Sequence, residues 1–229
     1  MKADVMAVVL TASCCLSVVL ALVGEWQDSK TLKRVGKPLA SASFLALALY
    51  LARWNSPLHY THWIVLGLIL GAIGDMALMS KTSRWFLVGL MSFLFGHVAY
   101  LIAFAGLSVM ADWLSLWSLV PIVLSLVTLR YLWPHLGSMR IPVVFYLLAI
   151  VLMVVSALAV VRSDAPPIAA SAVHLLFVGA VLFFASDVAV AKARFVKARF
   201  SDRVWGLSVY YAGQLCIAWS LSGIEATPF

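Results

Sequence analysis

Four polar side chains stand well inside long apolar runs of this chain: Asp75, His97, Asp187 and Gln214. Such groups are costly in hydrocarbon and mark ion paths, proton relays or reaction centres. They share a spacing. Gly67, Gly71, Gly74 and Asp75 fall at i, i+4, i+7 and i+8, which is one face of a helix. Gly89, Phe93, Gly96 and His97 repeat it, as do Gly179, Phe183, Ser186 and Asp187, and then Gly206, Tyr210, Gly213 and Gln214. Small residues let membrane helices approach closely, so the face carrying each polar group is expected to pack against protein and not lipid. Two carboxyls in different surroundings can divide an acid–base reaction. One keeps its proton as a general acid while its ionised partner acts as base or stabilises a developing cation.

The elements that must position these groups follow from composition. The 229 residues are 64% hydrophobic and 11% charged, with a mean hydropathy of +1.05, whereas soluble domains carry about 25% charged residues. The fold class is therefore all-α, an integral membrane bundle that forms a single transmembrane domain over 1–229. Eight transmembrane helices are expected near 5–24, 38–53, 62–80, 85–107, 113–130, 141–161, 171–192 and 204–222. The loops after the odd spans hold Lys30, Lys33, Arg34 and Lys37; Lys81 and Arg84; Arg130 and Arg140; and Lys192, Arg194, Lys197, Arg199 and Arg203. Only Lys2, Arg53 and Arg162 fall on the other side. The positive-inside rule makes those four loops cytoplasmic and puts both termini on the non-cytoplasmic side. One Lys before the first apolar run and four basic residues after it argue for a retained helix rather than a cleaved signal.

The net charge of +7 thus encodes topology, and no nucleic-acid partner is expected. Nine tryptophans near span ends are read as interfacial anchors, and Cys14, Cys15 and Cys216 as packing residues. Asp then His in spans three and four, and Asp then Gln in spans seven and eight, predict a parallel four-plus-four repeat. Asp75 lies six residues before Lys81 and Asp187 five before Lys192, placing both roughly 7–9 Å inside the basic rim. Tyr210 and Gln214 reach a similar depth and His97 lies further in. A site open to the cytoplasmic leaflet is the expectation.

G-x-x-G-D-M-A-L-M at 71–79, F-x-x-G-L-x-x-F-x-x-G-H-x-x-Y from Phe86 to Tyr100, G-A-x-L-F-F-x-S-D at 179–187, Y-Y-x-x-Q at 210–214 and Lys37-Pro38 together resemble the YhhN-like, or lysoplasmalogenase, family of membrane proteins. The resemblance covers most of the chain. It implies hydrolysis of the vinyl ether bond of a lysoplasmalogen to a fatty aldehyde and a glycerophospho-headgroup, with Asp75 and Asp187 as the essential acidic residues. No cofactor and no metal are expected; the partners are a lysophospholipid drawn from the cytoplasmic leaflet and the membrane lipids themselves. Vinyl ether hydrolysis begins with protonation of a carbon and continues with attack of water, a sequence that suits a carboxyl pair. Lys33, Lys37, Lys81, Arg84 and Lys192 are candidate phosphate holders, and His97, Tyr210 and Gln214 are candidates for positioning water or the carboxylates. In a bacterium the protein would sit in the inner, or plasma, membrane.

Three other functions fit parts of the pattern. A metal could be held by Asp75, Asp187 and His97, but no tight ligand spacing such as HExxH is present. An intramembrane aspartyl protease would need Gly where Ala72 stands and Tyr where Ser186 stands. A proton-coupled transporter is the main alternative; it needs a path to both sides, and the outer half has little polar lining.

Overall fold

The computed structural model describes residues 4–52, 59–80 and 82–224, and every regular element among them is helical. Lys2, Arg53, Trp54 and Lys81 lie outside the described residues. The long helices are α1 (Val5–Trp26), α2 (Lys30–Leu51), α3 (Tyr60–Leu78) and α4 (Ser83–Ala105). The short turn α5 (Met110–Trp113) comes next, then α6 (Leu119–Leu132), α7 (Arg140–Arg162), α8 (Ala170–Phe195) and α9 (Phe200–Ser220).

Local chemistry sets the ends. Asp4, Ser29 and Thr82 precede α1, α2 and α4, and each side chain accepts a hydrogen bond from a first-turn backbone N–H. The Ser29 cap starts α2 at Lys30, eight residues before the expected start at 38, because the basic stretch that ends the apolar run does not end the helix. Around Trp113 the chain is a short turn followed by a 3-10 turn, so the fifth long helix starts at Leu119 and not 113. Pro121 therefore lies in a first helical turn, where its missing N–H costs little.

Six helical segments among the described residues are long and apolar enough to cross a membrane: α1, α3, α4, the runs 116–135 and 137–162, and α8. This is the composition and length of a multi-pass membrane protein. The remaining long helices, α2 and α9, fall short. The first carries Lys30, Lys33, Arg34 and Lys37, and the second carries Asp202, Arg203, Tyr210, Tyr211 and Gln214.

Helices α1/α2, α3/α4 and α8/α9 pair along their lengths, and α7 lies between α4 and α8. Helix α9 also touches α1, α2 and α3, closing a ring. The glycine faces sit at these seams: a Cβ on Gly179 would lie 2.6 Å from Ile217 and 2.9 Å from the Gly213 carbonyl oxygen, the backbone approach that small residues permit. Helix α6 stays outside the ring, resting on part of α7 and touching α8. The first two helices are thus a close pair, whereas α6 and α7 meet over only part of their lengths.

Candidate active site

The two aspartates occupy separate networks. Asp75 is buried near the C-terminal end of α3, and the Ser41 hydroxyl on α2 donates to its Oδ2 at 2.8 Å. The Tyr210 and Tyr211 hydroxyls on α9 lie beside this carboxylate. Tyr211 lies 3.3 Å from Ser41 Oγ and donates to the Lys37 carbonyl at 3.2 Å. Gln214 Nε2 donates to the Tyr210 hydroxyl at 3.0 Å, and Tyr100 on α4 donates to Gln214 Oε1 at 2.8 Å. Four helices thus enclose one buried carboxylate. Helix α3 admits them because Gly71 has no side chain: a Cβ there would run into Gln214 Nε2 and the Tyr210 hydroxyl.

Asp187 on α8 faces a different set. His97 on α4 places Nε2 2.8 Å from Asp187 Oδ2, and the Tyr146 hydroxyl on α7 lies beside the same carboxylate. His97 is fully buried with Nδ1 lacking a protein partner, and its ring packs edge-on against Phe183 at 4.6 Å and tilted against Tyr146 at 5.2 Å. Nε2 is thus the ring nitrogen that meets Asp187, and Nδ1 is the one left without a protein partner. Phe183 in turn contacts Tyr210 at 5.3 Å, and Phe93 contacts both at 5.9 and 5.8 Å. A layer of rings therefore joins the two networks, and no hydrogen bond between Asp75 and Asp187 occurs among the described residues.

Counting residues to the nearest lysine predicts equal depth, and the helices differ from that. Helix α3 ends three residues after Asp75, whereas α8 runs through Lys192 to Phe195, eight residues after Asp187. The longer run carries Asp187 away from the helix end and explains how it meets His97, which the sequence places deeper.

Asp187 lies on the wall of a largely apolar pocket of about 50 Å³, lined also by Tyr146, Phe93, Phe86 and Phe184. Leu78, Phe86 and Val190 are shared with a wider vestibule of about 530 Å³ that holds Lys37, Arg194, Arg203, Glu25 and Asp202. Asp75 lines neither. Of the phosphate-holder candidates, Lys37 lines the vestibule. Lys33 is engaged by Asp28 at 2.9 Å and Glu25 at 3.8 Å, and Lys192 by Asp202 at 2.8 Å. Arg84 is exposed, and Lys81 lies outside the described residues. The hydrogen bond from the Lys192 ammonium, with Arg199 nearby, holds the Asp202 carboxyl below the usual carboxylate range. Among the described residues no three His, Cys, Asp or Glu side chains converge as a metal-binding group.

Ser41, Tyr146 and Arg194 belong to these networks and walls without having been singled out from the sequence. Ser41 sits in an Ala-Ser-Ala-Ser run and Tyr146 alone on an apolar helix, so neither shows the glycine spacing. Arg194 was visible only as topology; it stacks 4.3 Å over the Phe86 ring at the junction of pocket and vestibule.

Fold and site define a polytopic helical membrane protein with two intramembrane carboxylate networks, one of them lining a pocket. The YhhN family matches residues 32–221, most of the chain, and the protein belongs to that family. No curated protein and no solved structure matches it.

Proposed function

We propose that this YhhN-family protein is a lysoplasmalogenase-like hydrolase that cleaves the vinyl ether of a lysolipid inside the bundle. The observation that carries the proposal is Asp187. It is held by His97, lies beside Tyr146 and faces an apolar pocket that adjoins a charged vestibule. An amphiphile whose polar head stays in the vestibule brings the bond next to its glycerol to this carboxyl. Asp187 in its protonated form delivers the proton to the outer carbon of the vinyl group while Oδ2 stays held by His97. The oxocarbenium carbon that results is attacked by water, and the Asp187 carboxylate accepts the water's proton. The hemiacetal then collapses to a fatty aldehyde and the free glycerol hydroxyl, one water being consumed and the acid regenerated. Asp75 is the second carboxyl of the pair, one ring layer away, and its ionised form favours the cationic intermediate. His97 orients the acid; Tyr210 and Gln214 hold Asp75 in place.

In this reading all eight long helices cross the bilayer, with α2 and α9 tolerated because Ser41, Tyr210, Tyr211 and Gln214 face the interior and the basic residues cluster near the helix starts. Both termini lie on the non-cytoplasmic side and the vestibule opens to the cytoplasmic leaflet, where Lys37, Arg194 and Arg203 meet the headgroup phosphate.

The test is aldehyde release by the detergent-purified protein from lysoplasmalogen, with saturated-ether and ester lysolipids in parallel and Asp187→Asn and Asp75→Asn as blanks. Aldehyde from the vinyl ether alone, lost in the blanks, is expected. No release from a folded sample removes the hydrolase reading, and uptake into proteoliposomes driven by a pH gradient would then mark a transporter.

A further inference from the structure

The apolar pocket does not end at Asp187. Phe184, one helical turn further along α8, lines both this pocket and a second one of about 290 Å³ bounded by Val181 and Phe177 on α8, Leu124 on α6 and Leu158 on α7. Arg194, Asp187, Phe184, Val181 and Phe177 follow at intervals of seven, three, three and four, so one face of α8 runs from a cation through the carboxyl into a wholly apolar wall. From Asp187 to Phe177 that wall extends about 15 Å at about 1.5 Å per residue.

The far wall is α6, the helix outside the ring, and Leu124 and Val181 at the gap are 50% and 40% exposed. The second pocket therefore opens sideways, where lipid would be. One charged end, one reacting carboxyl and one apolar gallery have the order of a single-chain amphiphile, and the gallery adjoins the carboxyl pocket at Phe184.

Resting on the hydrolase reading above, we infer that the gap between α6 and α8 is the binding site for the substrate's single hydrocarbon chain. The chain passes Phe184 and lies against Val181 and Leu124, and Phe184 is the gate that sets chain-length selectivity. Filling the far end shortens the gallery, while trimming Phe184 widens its neck.

The experiment compares lysoplasmalogens of long and short alkenyl chain on the purified full chain and its Val181→Trp, Leu124→Trp and Phe184→Ala variants. The long-to-short ratio of kcat/KM falls by at least about tenfold in the two Trp variants and rises in Phe184→Ala. A ratio within twofold of the parent in all three overturns the assignment, with hydrolysis itself intact. A parent without activity on either substrate removes the hydrolase reading alone. The gallery is then judged by a saturated-ether lysolipid bearing a photoreactive group at its chain end, mapped by mass spectrometry. Crosslinks on α6 and α8 around Leu124 and Val181 support it, and crosslinks spread over all lipid-facing helices, as for a bulk bilayer lipid, overturn it.

Discussion

Asp75 and Asp187 stand at the end of the same kind of small-residue face, yet one is enclosed by four helices and the other borders a cavity. Asp75 accepts from Ser41 and lies beside two tyrosine hydroxyls that are themselves tied to Gln214 and the Lys37 carbonyl. Asp187 has His97 and Tyr146 on one side and the pocket on the other. A buried charge persists only where hydrogen bonds replace water. Full satisfaction makes a charge a structural anchor, whereas an open face leaves it a lone pair for chemistry. The difference lies in the neighbours and not in the motif.

The comparison breaks most visibly in turnover. Asp187→Asn removes the proton donor, and a loss of about 10²–10⁴-fold in aldehyde release is expected; retention of parent activity would transfer the acid role elsewhere. Asp75→Asn is also expected to abolish most turnover, but it separates from Asp187→Asn in stability. It weakens the bond from Ser41 inside a buried network, so its melting temperature in detergent falls while that of Asp187→Asn stays close to the parent. Equal melting temperatures would mean that both carboxylates are held alike. His97→Gln comes next: losing a hydrogen bond to a charged group costs about 1.5–3 kcal/mol, or about 10–100-fold in kcat/KM. A change in KM with kcat unaltered would instead assign His97 to substrate binding.

These tests also separate what sequence makes legible from what it does not. The four polar faces could be read because glycines at i and i+7 leave a periodic trace, and Gly179 against Gly213 meets at the seam that trace requires. Gln214 and Tyr210 enter beside Gly71 for the same reason. Partners supplied singly leave no such trace: Ser41 comes from a helix whose hydropathy is dominated by its basic start, and Tyr146 from an otherwise apolar one. The His97–Asp187 bond spans ninety residues of sequence, and only the tertiary path of α4, α7 and α8 creates it. Hydropathy also marks charge and not helix ends, which is why α2 starts before its apolar run and α8 ends after it.

Gly71→Ala sharpens the comparison at lower amplitude. Its methyl meets Gln214 and Tyr210, and an overpacked interior side chain costs about 1–3 kcal/mol. Melting should fall and activity with it, whereas Gly137→Ala, in open space, serves as a control whose strain is confined to its own positive-φ turn.

The smallest effect concerns the vestibule. Asp202 is held below the usual carboxylate range by Lys192, so its folded pKa lies under its unfolded value of about 4. The stabilisation is therefore complete above about pH 4 and is lost as the pH falls through the depressed folded value. Lys192→Met should remove that acid-side dependence of the melting temperature and also lower the neutral-pH melting temperature, since the buried Asp202 carboxylate loses its ammonium partner. A large neutral-pH loss in Lys192→Met would show that the α8/α9 turn is held by this pair. Parent-like acid sensitivity in the variant would instead assign that sensitivity to the intramembrane carboxylates.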